Sequence, residues 1–188
     1  MDRNSRLVSD LLASSVVGKP AAMELAELVR ESFLIARVHV ERVETVGRLA
    51  LGKWEIAHGL RRAHAVVLQP FKNATVRQKL LFLAEPTWVC DSSDAVAGET
   101  ALLFLWPYTG MLRSGATIPE QLRHGLWQLG NSGAGRVSVV QGVVIPYLIS
   151  DLDQYFPRPK GIEKYEPFPI PLTKFESVVV RLLQKHKR

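Results

Sequence analysis

Hydrophobic and polar positions change period several times along the chain, and each change marks an element. Ala21 to Glu31 (AAMELAELVRE) repeats every three to four residues. Met23, Leu25, Ala26, Leu28 and Val29 form one apolar side, and Glu24, Glu27 and Arg30 form the other. That spacing predicts a short amphipathic helix over 21–31, with Pro20 near its first turn. From Ser32 to Val46 the period falls towards two. Val38, Val40 and Val43 oppose Arg37, His39 and Glu41, and the alternation slips by one residue near Glu41–Val43. This predicts a long strand with a bulge at that point.

Gly47 to Gly52 reads as a turn. Trp54–His58 alternates again, Gly59 reads as an interruption, and Ala63–Leu68 resumes as a strand that ends at Gln69–Pro70. Two continuous apolar runs follow, within Gln78–Glu85 and Thr100–Trp106. Unbroken runs of this length predict strands buried on both faces, or on one face beneath a helix. Between them lies a polar connection carrying Pro86, Cys90, Asp91, Asp94 and Gly98. Residues 107–123 read as a loop with a helical turn over Pro119–Arg123. Leu126–Leu129 and Arg136–Ile145 read as strands joined by the glycine-rich run Gly130–Gly135, which is a hairpin signal.

Five prolines fall within 151–171, so that stretch is expected to cross the surface as extended chain. Thr173–Lys187 then shows the clearest helical stripe, Phe175, Val178, Val179 and Leu182. It begins with a Thr173…Glu176 capping box and ends in Lys185, His186, Lys187 and Arg188 at the negative end of the helix dipole. The resulting organisation is a flexible or short helical start over 1–20, a β domain over 21–146, and a proline-rich crossing with a terminal helix over 147–188.

Composition narrows the class. The 188 residues are 47% hydrophobic and 22% charged, ordinary for a globular domain, and no apolar run approaches the ~18–20 residues of a membrane span. At the N-terminus Asp2 and Asp10 break the pattern of a signal peptide, and one cysteine leaves no internal disulfide framework. Both features favour a cytoplasmic location. The net charge of +6 is unevenly placed. Arg48, Lys53, Arg61, Arg62, Lys72, Arg77 and Lys79 stand against Glu55 alone, whereas 80–110 holds no basic residue. A basic block of this kind marks either a solvated face or an anionic partner.

Catalytic and metal motifs are absent from the sequence: no G-x-S-x-G, no H-E-x-x-H, no C-x-x-C and no dinucleotide fingerprint. Cys90 is the one nucleophile to consider, but its neighbours Asp91 and Asp94 would raise its pKa. The spacing of Asp91, Asp94 and Glu99 is not that of a calcium loop. His58 and His64 lie six apart without a third ligand at suitable spacing. The glycine-rich run is followed by a strand instead of a helix and has no Gly-Lys-Ser/Thr, so it is no phosphate loop. No cofactor, metal or catalytic residue is expected.

Two segments carry a family resemblance. Val67-Leu68-Gln69-Pro70-Phe71-Lys72 and Gly98-Glu99-Thr100-Ala101-Leu102-Leu103-Phe104-Leu105, in this order around a cysteine loop, resemble bacterial proteins with an oligonucleotide/oligosaccharide-binding-like (OB-like) barrel related to the netrin and tissue-inhibitor-of-metalloproteinase modules. The resemblance spans about residues 25–140 and implies a five- to six-stranded barrel. Resembling proteins are often exported. Protease inhibition does not carry over, because inhibitory members chelate the protease metal with an N-terminal cysteine and the only cysteine here is Cys90.

The sequence thus predicts a mainly β protein: a small antiparallel OB-like β-barrel with an N-terminal and a C-terminal helix packed on it. The expected function is a non-catalytic binding or interaction module for a protein or other macromolecule. The alternative is a single-stranded nucleic-acid-binding barrel. It would use Lys53, Arg61, Arg62 and Lys72 as cations and Trp54, His58 and Phe71 as stacking groups.

Overall fold

The computed structural model describes residues 22–51, 54–84, 95–108, 125–130, 132–163 and 166–185, with 46–51, 54–60, 132 and 133 described by their backbone alone. Eight strands and two α-helices make up the described chain: α1 (Leu25–Glu31), β1 (Leu34–Leu51), β2 (Trp54–Lys72), β3 (Lys79–Leu83), β4 (Thr100–Pro107), β5 (Leu126–Leu129), β6 (Arg136–Val140), β7 (Val143–Val144), β8 (Ile170–Pro171) and α2 (Leu172–Lys185). Short 3-10 turns occupy Ser132–Gly135 and Leu152–Gln154.

Five strands close on themselves. β1 pairs with β2, β2 with β3, β3 with β5, β5 with β4, and β4 returns to β1 from Leu34↔Leu105 to His39↔Thr100. The closed order β1-β2-β3-β5-β4 is that of an OB-like barrel. Every pair is antiparallel except β3–β5, which runs parallel through Leu81↔Leu126 and Phe82↔Trp127. β6, β7 and β8 continue from β4 as a short extension of the sheet.

Strict alternation fills the barrel. Leu34, Ala36, Val38 and Val40 of β1 point inward, with Ala63, Ala65 and Val67 of β2, Leu80 and Phe82 of β3, and Ala101, Leu103 and Leu105 of β4. Small alanines alternate with large Leu and Phe in this interior, as a closed five-stranded barrel requires. A second core lies outside. Ile35, Leu102 and Phe104, the outward partners of those positions, are covered by Leu25, Leu28 and Val29 of α1 and by Phe175, Val178, Val179 and Leu182 of α2. β4 is therefore buried on both faces from Ala101 to Leu105, as its unbroken apolar run predicts.

Each helix is held by distant groups. The Leu25 N–H donates to Asp151 Oδ1 at 2.7 Å, so a buried aspartate from the proline-rich segment serves the first turn of α1. At the other end Lys72 Nζ donates to the carbonyls of Val29 and Arg30 at 3.2 and 3.0 Å. α2 carries the expected apolar stripe, but the capping box does not form. The helix begins one residue earlier, at Leu172, whose N–H donates to Gly142 O at 2.9 Å. Thr173 lies inside the helix, and Glu176 turns to Arg37 at 3.0 Å. The proline-rich segment is pinned by Arg158, which donates to Asp153 Oδ1 and to the carbonyls of Glu163 and Glu166 and stands 4.8 Å over the Phe168 ring.

Three local expectations are corrected. Of the turn expected over Gly47–Gly52, Gly47 to Leu51 is strand: β1 continues to Leu51, which pairs with Trp54, and Gly52 lies outside the described residues. Gly59 does not end β2: it stands opposite Arg48, with a register shift immediately beyond it, between Arg48 and Ala50. The bulge near Glu41–Val43 is present, between the pairs Val40↔Ala65 and Arg42↔His64. Last, β5 and β6 are not a hairpin. Both pair with β4, and the glycine run between them is folded tightly against itself. A Cβ on Gly135 would sit 2.4 and 2.5 Å from Gly130 backbone atoms, so the glycine there is a steric requirement. The helical turn expected at Pro119–Arg123 lies outside the described residues.

Candidate binding face

The two helices cover one side of the barrel. The outward positions of β1, β2 and β3 on another side remain polar and open. After the bulge, Arg42 and Glu44 leave the barrel interior and stand opposite His64 and Arg62. On the next strand His64 faces Leu81, and Val66 faces Lys79. Cross-strand pairing thus gathers residues as far apart in the chain as Arg42 and Leu81 into one patch.

Glu44 is the hub of that patch. Its Oε1 accepts from Arg62 Nη2 at 2.8 Å, from Arg62 Nε at 3.1 Å and from His64 Nε2 at 2.6 Å. Arg42 Nη2 approaches the same ring, 3.2 Å from Nε2 and 3.5 Å from Nδ1. The hydrogen bond from His64, followed by that from Arg62, lowers the Glu44 carboxyl from its ordinary 4.5 to about 2. The acid is ionised throughout the physiological range, and the cations around it are fixed in place.

Beside this network lies a cleft of about 540 Å³, lined by Glu41, Arg42, His64, Lys79, Leu81 and Gly125 among others. Its size falls in the range of small-ligand and side-chain pockets. Arg42 and Lys79 are exposed, while Leu81 and His64 are half-buried. The cleft can therefore receive an apolar group on Leu81 and an anionic group on Arg42 or Lys79. No group of three or more His, Cys, Asp or Glu among the described residues is placed to hold a metal ion.

The residues named from sequence do not form one cluster. Arg61 and Arg62 stand at the middle of β2, where the Arg61 carbonyl accepts from Ala84 N–H and Arg62 is paired with Glu44. Phe71 and Lys72 lie ten residues further along the same strand, about 33 Å away at ~3.3 Å per residue. Phe71 packs against the outer core, and Lys72 caps α1. Burial lowers the Lys72 pKa below its usual 10.5, with Glu31 opposing the shift. Trp54 and His58 belong to β2 by their backbone, and their side chains lie outside the described residues, as do Lys53, Cys90, Asp91 and Asp94.

Sequence reasoning missed Arg42, Glu44 and Leu81, counted Lys79 only within the basic block, and weighed His64 only as a metal ligand. Counting back from Leu51↔Trp54 would place Glu44 opposite Arg61 and Arg42 opposite Ala63. The register shifts between Arg48 and Ala50 and between Thr45 and Gly47 move them opposite Arg62 and His64, so simple counting along the hairpin misses the pairs by one residue.

The closed strand order defines the class of this chain, an OB-like barrel with two packed helices. No known family model matches the sequence, and no curated protein is significantly similar to it. No helix among the described residues is long and apolar enough to cross a membrane.

Proposed function

We propose that this protein is a non-catalytic interaction module whose partner, a protein, docks on the outer face of β1, β2 and β3. One observation carries the reading. The helices cover β4 and the start of β1, whereas the Arg42–Glu44–Arg62–His64 network ties β1 to β2 on an uncovered face beside a cleft that includes Leu81. Fixed polar groups around an apolar anchor point are the anatomy of a protein-docking patch. The resemblance of Val67–Lys72 and Gly98–Leu105 to the netrin and tissue-inhibitor group agrees with a binding role.

The nucleic-acid reading draws on the same basic block. Among its described cations, Arg77 and Lys79 are exposed, whereas Arg62 is paired with Glu44 and Lys72 donates to helix carbonyls. A surface built for phosphates keeps its cations available. Engagement of the two central cations and the apolar Leu81 at the cleft favour a protein partner.

The test uses matched baits, the wild-type chain and a Leu81→Glu variant, for capture from extract of the source cells. Leu81 is half-buried at the cleft, so a carboxylate there blocks docking without entering the barrel interior. A protein held by wild type and lost from the variant is the expected result. Proteins retained equally by both baits overturn the assignment. So does binding of a labelled single-stranded oligonucleotide that weakens steeply between ~50 and ~200 mM salt and is lost in Arg42→Ala/Lys79→Ala, because that behaviour belongs to phosphate recognition.

A further inference from the structure

The outer side of α2 combines charge and shape in a way that the fold does not use. The helix contains one acid, Glu176, and that residue turns towards Arg37. Lys174, Arg181 and Lys185 are exposed, and none has an ion-pair partner among the described residues. Val180, 39% exposed, lies on the neighbouring side of the helix, beside Glu176. Packing explains the opposite stripe of this helix and leaves this one without a role.

Two clefts flank the same helix. One, of about 570 Å³, runs between α2 and the bend Tyr155–Pro157, with Phe156 and Val178 as its apolar floor. The other, of about 370 Å³, runs between α2 and the end of β2, lined by Gln69, Phe71, Glu176 and Val180. Thr173 and Ser177 border both, so the helix is a ridge between two apolar-floored grooves. The floor is rigid, since Phe156 stacks on the buried Phe175 at 5.9 Å.

We propose that this ridge and its grooves are a docking site for an acidic segment of a partner protein that carries apolar or aromatic anchors. The cations supply the charge complementarity. Lys174 and Arg181 are seven residues apart, ~10.5 Å along a helix, which matches acidic residues three apart in an extended peptide. The grooves supply pockets for the side chains between those acids. The ridge is a poorer match to the other anionic surfaces. A phosphate backbone would engage the cations and leave the Phe156–Val178 floor in water. A bilayer would require an exposed apolar helix face, and that face of α2 is buried in the outer core. The site is separate from the β1–β2–β3 face and stands or falls independently of it.

The test is fluorescence anisotropy with a labelled decapeptide of glutamates three apart, with Phe and Leu between them. Oligo-dT of equal charge and phosphatidylserine vesicles serve as competing probes, all at ~50 and ~300 mM salt. Wild type is compared with Lys174→Glu/Arg181→Glu and with Ser177→Trp, which fills the grooves without altering charge. All three substituted positions are exposed, and circular dichroism checks that the helix persists. The expected result is peptide binding that weakens at least tenfold in both variants, and more at low salt than at high salt for the charge variant. Three results overturn the proposal: no peptide binding by wild type, equal binding by wild type and both variants, or charge-sensitive binding of the oligonucleotide or vesicles in place of the peptide.

Discussion

Lys72 shows how a basic residue that looks like a ligand contact can be read from its geometry. Its ammonium donates two hydrogen bonds to the carbonyls that end α1. Lys72→Met keeps the aliphatic stem and removes the ammonium. A hydrogen bond to a charged group contributes about 1.5–3 kcal/mol when buried, and a cation at a helix C-terminus adds about 0.3–1. Lys72 is only half-buried, and desolvation of its charge opposes these gains, so the net cost expected for Lys72→Met is about 1–2 kcal/mol. Urea denaturation reads this directly. With a slope near ~3 kcal/mol/M the midpoint falls by about 0.5 M at unchanged slope, and the melting temperature falls by about 3–6 °C. Hydrogen exchange should quicken over Leu25–Glu31. Lys174→Met, on an exposed lysine without an ion pair, serves as the control and should stay within ~0.5 kcal/mol of wild type. A change below ~0.3 kcal/mol for Lys72→Met would refute the capping role and return Lys72 to the ligand face.

Other expectations follow from the same contacts. Glu44 should titrate with a midpoint of about 2 by carboxyl NMR. Because that pKa is lowered on folding, its stabilising effect is complete above the unfolded value near ~4.3 and is lost as pH falls towards 2. Glu44→Gln should therefore flatten the acid limb of the stability profile and leave the shape of the profile above pH 6 unchanged. Phe104→Ala, at the junction of barrel and helices, should cost about 3–5 kcal/mol in chemical denaturation, and Leu103→Ala, inside the barrel, about 2–5. Gly135→Ala should destabilise strongly or prevent folding, because its methyl group meets backbone at 2.4 Å, whereas Gly98→Ala meets no neighbouring atom and bears only the strain of a positive φ.

What the sequence made legible was local and periodic. The α2 stripe, the β1 bulge and the double burial of β4 each follow from spacings within one segment. The hairpin length was hidden by Gly47 and Gly59, which resemble breakers but pair across the β1–β2 ladder. The pairing of β4 with both β5 and β6, and the parallel β3–β5 contact, depend on closing the barrel and leave no trace within a short window. Tertiary hydrogen bonds also overrode a correct local signal. Thr173 and Glu176 have the spacing of a capping box, yet the carbonyl of Gly142 takes the first N–H of α2 and Arg37 takes the glutamate. The candidate face was missed for the same reason: Glu44 and Arg62 meet only through the register of two long strands.

The account's central claim is that the open face of β1, β2 and β3 is where a partner protein docks. Hydrogen–deuterium exchange on the chain alone and with its captured partner tests this most directly. The account predicts new protection concentrated in 41–44, 62–66 and 79–83, lost with Leu81→Glu. Protection confined to other segments, with 41–44, 62–66 and 79–83 exchanging as in the free chain, would contradict it.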